Sequence, residues 1–330
     1  MKKVAVLGAT GAVGREMLKV LEERNFPVSE LVPLASKSSA GSKVLFRGEQ
    51  IAVREANERA FQGADIVLGA VANAFSKAFA PAILEAGAVY VDNSSAFRMN
   101  AEVPLVVPEI NPQDAKLHKG IIANPNCSTI IALVAVNAIN ALSPIQSMIA
   151  ATYQAVSGAG AGGTAELEAQ MRAWAVGEEP KNAVFPYQIA FNLIPQIGDF
   201  QENGYTSEEM KMQNEGRKIL HLSELNVSCT CVRVPVWRSH SISITLKTQQ
   251  RLELSSVRES IAGAKGCRLV DEVQERRYPM PLETSDQDLV FVGRIRRDLT
   301  SENGISLWCC GDQVRKGAAT NAVQIAELLS

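Results

Sequence analysis

The first third of the chain shows short apolar runs that alternate with segments of helical periodicity. The first run, residues 3–7, is rich in β-branched residues and leads directly into a glycine-rich turn. Other predicted strands cover residues 31–35, 64–70, 88–92, 105–107 and 120–123. The predicted helices cover residues 15–24 and 74–86. Strands that alternate with helices in this way indicate a mostly parallel sheet with helices on both faces.

The pattern changes after residue 126, where longer strands with fewer helices between them begin. The motif Thr206-Ser-Glu-Glu209 is a capping box that predicts a helix to about Leu220, and Ser256-x-x-Glu259 predicts another capped helix. Residues 176–200, with three prolines and several aromatics, predict an irregular segment that is either functional or an interface. Other predicted strands cover residues 146–156, 227–234, 241–248, 289–296 and 305–310, and other helices cover residues 127–142, 165–175 and 316–329.

A glycine-rich motif, Gly8-Ala-Thr-Gly-Ala-Val-Gly14, lies between the first predicted strand and the first predicted helix. A strand, a glycine turn and a helix open a dinucleotide-binding unit, because the glycines allow a tight turn and close approach of a pyrophosphate to the helix N-terminus. The spacing is a variant of the usual fingerprint, and an ordinary loop is the alternative. We expect cofactor contacts at Gly8, Thr10, Gly11, Ala12 and Val13.

These elements predict an α/β fold class. An N-terminal Rossmann-like, doubly wound parallel sheet is completed by the C-terminal helix, and an α+β domain is inserted before that helix. We place the first domain at residues 1–126 and 311–330, and the second domain at residues 127–310.

The loop after the second strand, Ser36-Lys-Ser-Ser-Ala-Gly41, bears on the choice of cofactor. An acidic residue at this place would bind a ribose 2′-hydroxyl and repel a 2′-phosphate. Hydroxyl groups at Ser36, Ser38 and Ser39, with a lysine among them, suit the phosphate instead. The loop therefore favours NADP over NAD, unless it is an ordinary polar loop.

Composition limits the classes of function. A chain of 330 residues with 46% hydrophobic residues can bury a sizeable core, and its length fits two domains. The formal net charge is −2, and no basic run is interleaved with aromatics, which argues against nucleic acid or a membrane surface as partner. The first residues do not read as a signal peptide, and we expect a cytoplasmic protein. The six cysteines have neither metal-ligand spacing nor the density of a disulfide scaffold, so we expect no metal.

The segment Ile121-Ile-Ala-Asn-Pro-Asn-Cys-Ser-Thr129 carries the first candidate for chemistry. Pro125 biases Asn124 away from helical dihedrals, and small polar residues follow where a helix would begin. Cys127 is therefore predicted at a helix N-terminus, where unpaired N–H groups and the macrodipole favour a thiolate. It is a candidate nucleophile, and the alternative is a buried structural cysteine.

Other charged residues stand at places where a site could form. Arg98 follows a predicted strand and is either a surface charge or an anion clamp. Glu208 and Lys211 lie one turn apart on a predicted helix, and without other information they read as a routine ion pair. Of the three histidines, His118 and His221 are predicted at the surface. His240 lies at the edge of a predicted strand, seven residues after Arg233.

Taken together, the motifs resemble the aspartate-semialdehyde dehydrogenase family, in the order and at about the spacings of that family. The resemblance extends over most of the chain. The residues that carry it are Gly8-Ala-Thr-Gly-Ala-Val-Gly14, Asn93-Ser-Ser-Ala-Phe-Arg98, Asn124-Pro-Asn-Cys-Ser-Thr129, Tyr153-Gln-Ala-Val-Ser-Gly-Ala-Gly160, Glu208-Glu-Met-Lys211, Arg233-Val-Pro-Val-Trp-Arg-Ser-His240 and Lys316-Gly-Ala-Ala-Thr-Asn321.

The resemblance implies an activity. Aspartate 4-semialdehyde, phosphate and NADP⁺ would be converted reversibly to 4-phospho-aspartate and NADPH. In the cell the reaction would run in the reductive direction and feed lysine, diaminopimelate, methionine and threonine synthesis. Members of the family are usually homodimers built through the second domain, which would be the catalytic and dimerisation domain, and the first domain would bind NADP.

The resemblance also implies roles for single residues. Cys127 would be the nucleophile that forms an acyl-thioester, His240 the acid/base and Gln154 a group that orients the substrate or a water. Arg233 would bind the α-carboxylate and Glu208 the α-ammonium. The remaining residues would contact the phosphate, at Arg98 and Lys211, or the nicotinamide half of the cofactor, at Ser157, Gly158 and Asn321.

Two other functions compete with this one. A reductase for N-acetyl-glutamyl phosphate would use the same thioester chemistry, but its acetylated substrate has no ammonium for Glu208 to bind. A dinucleotide-binding redox sensor without turnover would keep the glycine turn but would leave His240, Arg233 and Lys211 unexplained.

Overall fold

The computed structural model describes residues 1–329, and these residues divide into two compact units. The first unit contains Met1–Asn126 and the chain from Gly317 on, and the second contains Cys127–Lys316. The boundary predicted at residue 311 therefore lies inside the second unit. The reason is Asp312, whose carboxylate accepts hydrogen bonds from the backbone N–H of Asp286 at 2.7 Å and of Val314 at 2.9 Å, which ties the following residues to that unit.

Within the described residues, each unit contains a six-stranded sheet, and helices pack against it. In chain order the elements are β1 (Lys2–Leu7), α1 (Ala12–Glu23), β2 (Val28–Ala35), β3 (Lys43–Phe46), β4 (Glu49–Ala52), β5 (Arg54–Glu55), β6 (Ile66–Gly69), α2 (Asn73–Glu85), β7 (Val89–Asp92), β8 (Ile121–Ala123), α3 (Cys127–Leu142), β9 (Ile145–Gln154), α4 (Gly160–Ala175), α5 (Ser207–Leu220), β10 (Asn226–Arg233), β11 (His240–Thr248), α6 (Leu254–Gly263), β12 (Cys267–Leu269), α7 (Pro281–Thr284), β13 (Val290–Arg297), β14 (Gly304–Gly311) and α8 (Thr320–Glu327).

The sheet of the first unit is parallel throughout, in the order β5-β2-β1-β6-β7-β8. Its central strands are buried on both faces, which is why they appear in the sequence as unbroken apolar runs. The C-terminal helix α8 contacts α1, β6 and β7, so the end of the chain completes this unit. The predicted Rossmann-like fold is confirmed.

The sheet of the second unit is mixed, in the order β10-β9-β11-β14-β13-β12. Strands β9 and β10 are parallel, and β11 is antiparallel to β9 and to β14. Helix α3 is buried along most of its length and packs against β9, β11, β13 and β14. Because β10, β9 and β11 are neighbours, the residues at their adjoining ends lie close together.

Several local predictions were wrong. Residues 105–107 form only an isolated bridge from Leu105 to Ala123, because the N–H of Val107 is bound to the side chain of Asn111 at 2.9 Å. Helix α6 begins at Leu254, before the predicted cap at Ser256, and its N-cap residue Glu253 makes no side-chain cap. The C-terminal helix is preceded by a π-helical turn at Arg315–Ala319.

No helix among the described residues combines the length and the apolar character that a membrane span requires. In the same part of the chain, no group of three or more His, Cys, Asp or Glu side chains is arranged to hold a metal ion.

Candidate active site

Cys127 and His240 lie side by side in the second unit. Cys127 is the first residue of α3, as predicted, and His240 is the first residue of β11. The distance between Cys127 Sγ and His240 Nε2 is 3.6 Å, which is within the reach of a hydrogen bond to sulfur. Among the described cysteines, Cys127 is partly exposed and the other five are buried. The thiol that the sequence singled out therefore has both access to solvent and a titratable neighbour.

The other ring nitrogen of His240 has a backbone partner. The N–H of Ala155 donates to His240 Nδ1 at 3.0 Å. A nitrogen that accepts a hydrogen bond carries no proton, so the neutral ring holds its proton on Nε2, facing Cys127. Burial lowers the pKa of His240 well below its ordinary value, and the positive charge of Arg233 lowers it further. Both effects favour a neutral imidazole.

Gln154 ends β9 and reaches into the same site. Thr152 Oγ1 donates to Gln154 Oε1 at 3.0 Å, which directs the amide nitrogen of Gln154 towards Glu208 Oε1 at 3.4 Å. The same nitrogen is 3.5 Å from His240 Nε2, but a protonated Nε2 cannot accept from it. We take the contact with the Glu208 carboxylate as the hydrogen bond, because that partner is negatively charged.

Glu208 and Lys211 come from the first turns of α5, which the predicted capping box opens. Lys211 Nζ is 2.8 Å from Glu208 Oε2, so the i,i+3 ion pair predicted from the spacing is present. Glu208 is buried, while Lys211 is half-buried. The ion pair thus presents a carboxylate and an ammonium beside Gln154.

Arg233 ends β10, in register with Gln154 on β9. Its guanidinium donates to the carbonyl of Ala155 at 2.7 Å and lies over the ring of Phe185, 5.8 Å from the ring centroid. Burial lowers the pKa of Arg233, although the negative charges of neighbouring groups act in the opposite direction. An arginine remains charged even so, and a buried guanidinium is suited to bidentate binding of a carboxylate.

Gly158 lies close to Arg233 and His240. A Cβ atom on Gly158 would lie 2.8 Å from Arg233 Nη1 and 3.1 Å from His240 Cε1. A side chain here would displace the Arg233 guanidinium and crowd His240. The family resemblance assigns this position to the cofactor.

Ser157 is also tied to the neighbourhood of His240. The side chain of Gln313 donates to Ser157 Oγ and accepts from the N–H of Ser239 at 2.9 Å. Sequence reasoning missed Gln313, because nothing in its local pattern distinguishes it from a surface glutamine. The fold alone brings it to the residue before His240.

The glycine turn of the first unit borders a groove of about 420 Å³. Of the residues predicted to hold the cofactor, Gly8, Thr10, Gly11 and Ser36 line it. Ala12 and Val13 instead form the first turn of α1, and Ser38 lies against Ser36, with 3.0 Å between their Oγ atoms. The N–H of Ser39 donates to the carbonyl of Ser36 at 2.9 Å and closes a turn. The groove also contains Lys37 and two aromatic side chains that were not predicted, Phe75 and Phe79.

This groove has the features that a dinucleotide needs. Gly8 has φ of +90°, and a Cβ atom on it would lie 2.4 Å from the carbonyl oxygen of Ala70. A Cβ atom on Gly14 would lie 2.1 Å from the carbonyl oxygen of Gly8, so only glycine lets α1 pack this close to the turn. The free N–H groups of the first turn of α1 then face the groove's glycine edge, where a pyrophosphate would rest.

Arg98 and Asn321 are both buried in the first unit. The Arg98 guanidinium donates to the backbone carbonyls of Asn124 and Asn93, each at 2.9 Å. Asn321 donates to Val106 O at 2.9 Å and to Asn124 Oδ1 at 2.6 Å. These bonds fix the segment that leads to Cys127. Contacts of Arg98 with phosphate and of Asn321 with the cofactor remain predictions.

Two models of known protein families match the chain, one in each half. Residues 3–118 match the family model described as semialdehyde dehydrogenase, NAD binding domain. Residues 137–316 match the model described as semialdehyde dehydrogenase, dimerisation domain.

Similar proteins cover the full length of the chain. The aspartate-semialdehyde dehydrogenase of Aquifex aeolicus is 51% identical over 331 residues, which is 99% of this chain and 97% of that protein. The enzyme of Bacillus subtilis is 47% identical over 334 residues, covering 99% and 96%. Among solved structures, aspartate semialdehyde dehydrogenase II from Vibrio cholerae, complexed with ASA, has a TM-score of 0.97 and 43% identity, covering 100% of this chain and 98% of that one.

Proposed function

The chain belongs to the aspartate-semialdehyde dehydrogenase family, and on that premise we propose that it reduces 4-phospho-L-aspartate to L-aspartate 4-semialdehyde with NADPH. Its product would then feed the synthesis of lysine, diaminopimelate, methionine and threonine. The observation that carries the proposal is the contact between Cys127 and His240 beside Arg233, Glu208 and Lys211. These groups supply a nucleophile, a proton donor and charges opposite to those of this substrate.

The charges divide among the groups of the substrate. The guanidinium of Arg233 binds the α-carboxylate, and the carboxylate of Glu208 binds the α-ammonium. Arg98 and Lys211 bind the phosphate. Since Lys211 and Glu208 pair with each other at 2.8 Å, each exchanges that partner for a group of the substrate on binding. The ion pair keeps both charges compensated until the substrate arrives.

The first chemical step is an acyl transfer to sulfur. The Cys127 thiolate attacks the carbonyl carbon of the acyl phosphate, the C–S bond forms, and the C–O bond to phosphate breaks. The electron pair leaves with inorganic phosphate, which takes up one proton from water, and an acyl-thioester remains on Cys127. His240 contributes its Nε2–H, which faces the sulfur and stabilises the oxyanion that forms on the way.

The second step releases the aldehyde. NADPH, when held in the groove of the first unit, would supply the hydride that reduces the thioester. As the C–S bond breaks, Cys127 leaves as the thiolate, which is again held by the Nε2–H of His240. The amide of Gln154 orients the acyl group between Glu208 and the sulfur. In the opposite direction, phosphate attacks the thioester, and the same groups act in reverse order.

The cofactor is held by the groove of the first unit. Gly8, Thr10 and Gly11 line it on the side of the glycine turn, and Ser36 and Lys37 line it where we expect a 2′-phosphate. An ammonium and a hydroxyl suit that phosphate, which supports NADP over NAD. Ser157, Gly158 and Asn321 are assigned to the nicotinamide half.

The quaternary structure is a homodimer built through the second unit. One face of its sheet is covered by α3, and the opposite face carries Ile149, Tyr153, Ser243, Thr245 and Trp308. This set, the outer sheet face, is uncharged, and the charged Lys247 and Arg296 lie beside it on the same side of the sheet. Ile149 is 64% exposed and Tyr153 is 36% exposed in the single chain, as expected of residues that a second copy covers.

A cytoplasmic location remains a prediction from the sequence.

The activity is tested by following NADPH absorbance with 4-phospho-L-aspartate as substrate. We expect phosphate-releasing oxidation of NADPH, and less activity with NADH at the same concentration. N-acetyl-glutamyl phosphate serves as the control, because it has no ammonium for Glu208 to bind. Turnover of that acyl phosphate, but not of 4-phospho-aspartate, would show that the substrate assignment is wrong.

A further inference from the structure

Residues 176–200 follow an irregular path, as predicted, but they are anchored at defined points. The first anchor is Glu166 on α4, whose side chain is only 5% exposed. Its Oε2 atom accepts the backbone N–H groups of Ala183 at 3.0 Å, of Val184, and of Phe185 at 3.3 Å. Three N–H groups of the segment thus converge on one carboxylate oxygen.

The second anchor is Gln170, one turn further along α4. Its Oε1 atom accepts the N–H groups of Ile189 and Ala190, both at 3.0 Å. Its Nε2 atom donates to the carbonyl of Lys181 at 3.1 Å and to Glu166 Oε1 at 3.0 Å. The two side chains therefore bind each other and together hold both ends of the stretch from 181 to 190.

The segment of residues 176–200 contacts Arg233, the residue that we assign to the substrate carboxylate. Phe185 packs its ring against the Arg233 guanidinium at 5.8 Å, within an apolar cluster that includes Leu167 and Ile189. Further along, Ile194 pairs with the backbone of Arg233 through N–H to O bonds of 3.0 and 2.8 Å. The segment thus contacts Arg233 on its side chain and on its backbone.

We propose that Glu166 and Gln170 are positioning residues for substrate recognition: they hold Phe185 against Arg233 so that the guanidinium is placed to bind the α-carboxylate. The inference rests on the proposed function of Arg233. Neither residue touches the substrate, and both act through the segment that they anchor.

Physical chemistry favours the carboxylate in this role. Charge-assisted hydrogen bonds are stronger than neutral ones, and three of them fix a segment that has no helix or strand of its own. Without the Glu166 carboxylate, three consecutive N–H groups would lose their charged acceptor. The N–H of the buried Phe185 would be left without a partner, while Ala183 and Val184 are exposed and could turn to water. The segment would relax to reach water, and Phe185 would move with it.

The test compares Glu166→Ala with Glu168→Ala in the full-length enzyme. Glu168 lies on the same helix, is exposed and pairs with Arg172 on the helix surface, so its loss removes a carboxylate without affecting the segment. Kinetics in the oxidative direction give separate KM values for aspartate 4-semialdehyde, phosphate and NADP⁺. A further substrate, 3-aminopropanal, is the same aldehyde without the carboxylate. Circular dichroism and melting curves verify folding.

For Glu166→Ala we expect the KM for aspartate 4-semialdehyde to rise about tenfold, in the range of a lost desolvated cation–π contact. Its kcat, its KM values for phosphate and NADP⁺, and its kcat/KM for 3-aminopropanal stay unchanged. Glu168→Ala behaves as the unmodified enzyme. A folded Glu166→Ala variant with an unchanged aldehyde KM, or with all three KM values raised together, overturns the proposal.

Two more variants keep the outcomes distinct. If Glu166→Ala does not fold, Phe185→Leu decides the point by the same criteria, because it retains an apolar side chain but removes the ring. Arg233→Lys tests the underlying function and should raise the aldehyde KM. If it does and the anchor and ring variants do not, positioning is wrong and the proposed function stands. If Arg233→Lys leaves that KM unchanged, the role of Arg233 is wrong and the positioning role fails with it.

Discussion

The protonation of His240 decides how the site can work at the level of single residues. Its Nδ1 atom accepts the N–H of Ala155 at 3.0 Å, so a proton on that nitrogen would face another proton. A charged imidazolium would break this bond, would be desolvated, and would lie near Arg233. His240 is therefore a neutral ring that donates its Nε2–H to Cys127.

This state of His240 can be observed directly by nitrogen NMR of enzyme labelled at histidine. We expect Nδ1 of His240 to show the shift of an unprotonated ring nitrogen and Nε2 that of a protonated one. The pattern should persist below pH 6.5, roughly the pKa of an ordinary histidine, because both burial and Arg233 lower the pKa of His240.

Assignment is simple, because the chain has three histidines and His240→Asn removes one set of signals. A reversed pattern, with the proton on Nδ1, would contradict the hydrogen bond from Ala155. A ring that becomes doubly protonated near pH 6.5 would contradict the effect of burial.

Sequence reasoning located Cys127, His240 and Arg233 but could not find what orients them. The partners of His240 and Arg233 are the N–H and C=O of Ala155, and backbone groups leave no trace in a residue pattern. The anchors Glu166 and Gln170 were equally hidden, because an acid and an amide on a helix usually face solvent.

Among the elements, the turn between β1 and α1 shows two separate uses of glycine. Gly14 lies inside the first turn of α1, where a side chain would collide with the backbone of Gly8. At Gly11 a Cβ atom would meet only Gly8 O, at 3.4 Å, which is an ordinary contact. Gly14 serves packing, and we propose that Gly11 leaves room for the pyrophosphate.

The two glycines should therefore respond differently to alanine. Gly14→Ala should lower the melting temperature and reduce NADPH binding, because the strand and helix cannot keep their distance. Gly11→Ala should melt close to the unmodified enzyme but bind NADPH at least about tenfold more weakly, since the methyl group occupies space that the pyrophosphate needs. Melting curves and calorimetric titration measure both. Unchanged NADPH affinity in Gly11→Ala would contradict the placement of the cofactor.

Helices and strands were predicted correctly where a local sequence pattern determines them. The buried parallel strands and the capped helix α5 were predicted from apolar runs and a capping box, and they are present. The hairpin of β3 and β4 was missed, because its turn uses Arg47 and Gly48, both at positive φ, rather than an asparagine–glycine pair. Helix α4 begins at Gly160, earlier than predicted, because Gly163 packs against the backbone of Val156 and is tolerated in a helix.

At the scale of the whole molecule, the order of strands in the second sheet determines which site residues meet. Gln154, Arg233 and His240 are distant in sequence and meet because β9 lies between β10 and β11. No pattern in the sequence specifies that order, so the strands could be predicted while their neighbours could not. The resemblance to a family supplied the grouping that periodicity alone lacked.

The proposed dimer gives a prediction at this scale. Ile149→Glu should shift the protein from dimer to monomer in sedimentation at micromolar concentration, because it places a charge on the outer sheet face. In a symmetric interface the substitution is present once on each subunit, so the dissociation constant of the dimer should rise at least roughly tenfold. Leu45→Glu, an exposed apolar position in the first unit, is the control and should remain dimeric. A dimer that tolerates Ile149→Glu would place the interface elsewhere.

The central claim is that Cys127 carries the acyl group, and mass spectrometry of the enzyme mixed with 4-phospho-L-aspartate in the absence of NADPH tests it most directly. We predict release of one phosphate per active site and one aspartyl adduct on the peptide that contains Cys127. Cys127→Ala should show no adduct and no turnover while it still binds NADPH. An adduct on another residue, or substantial turnover by Cys127→Ala, would contradict the account.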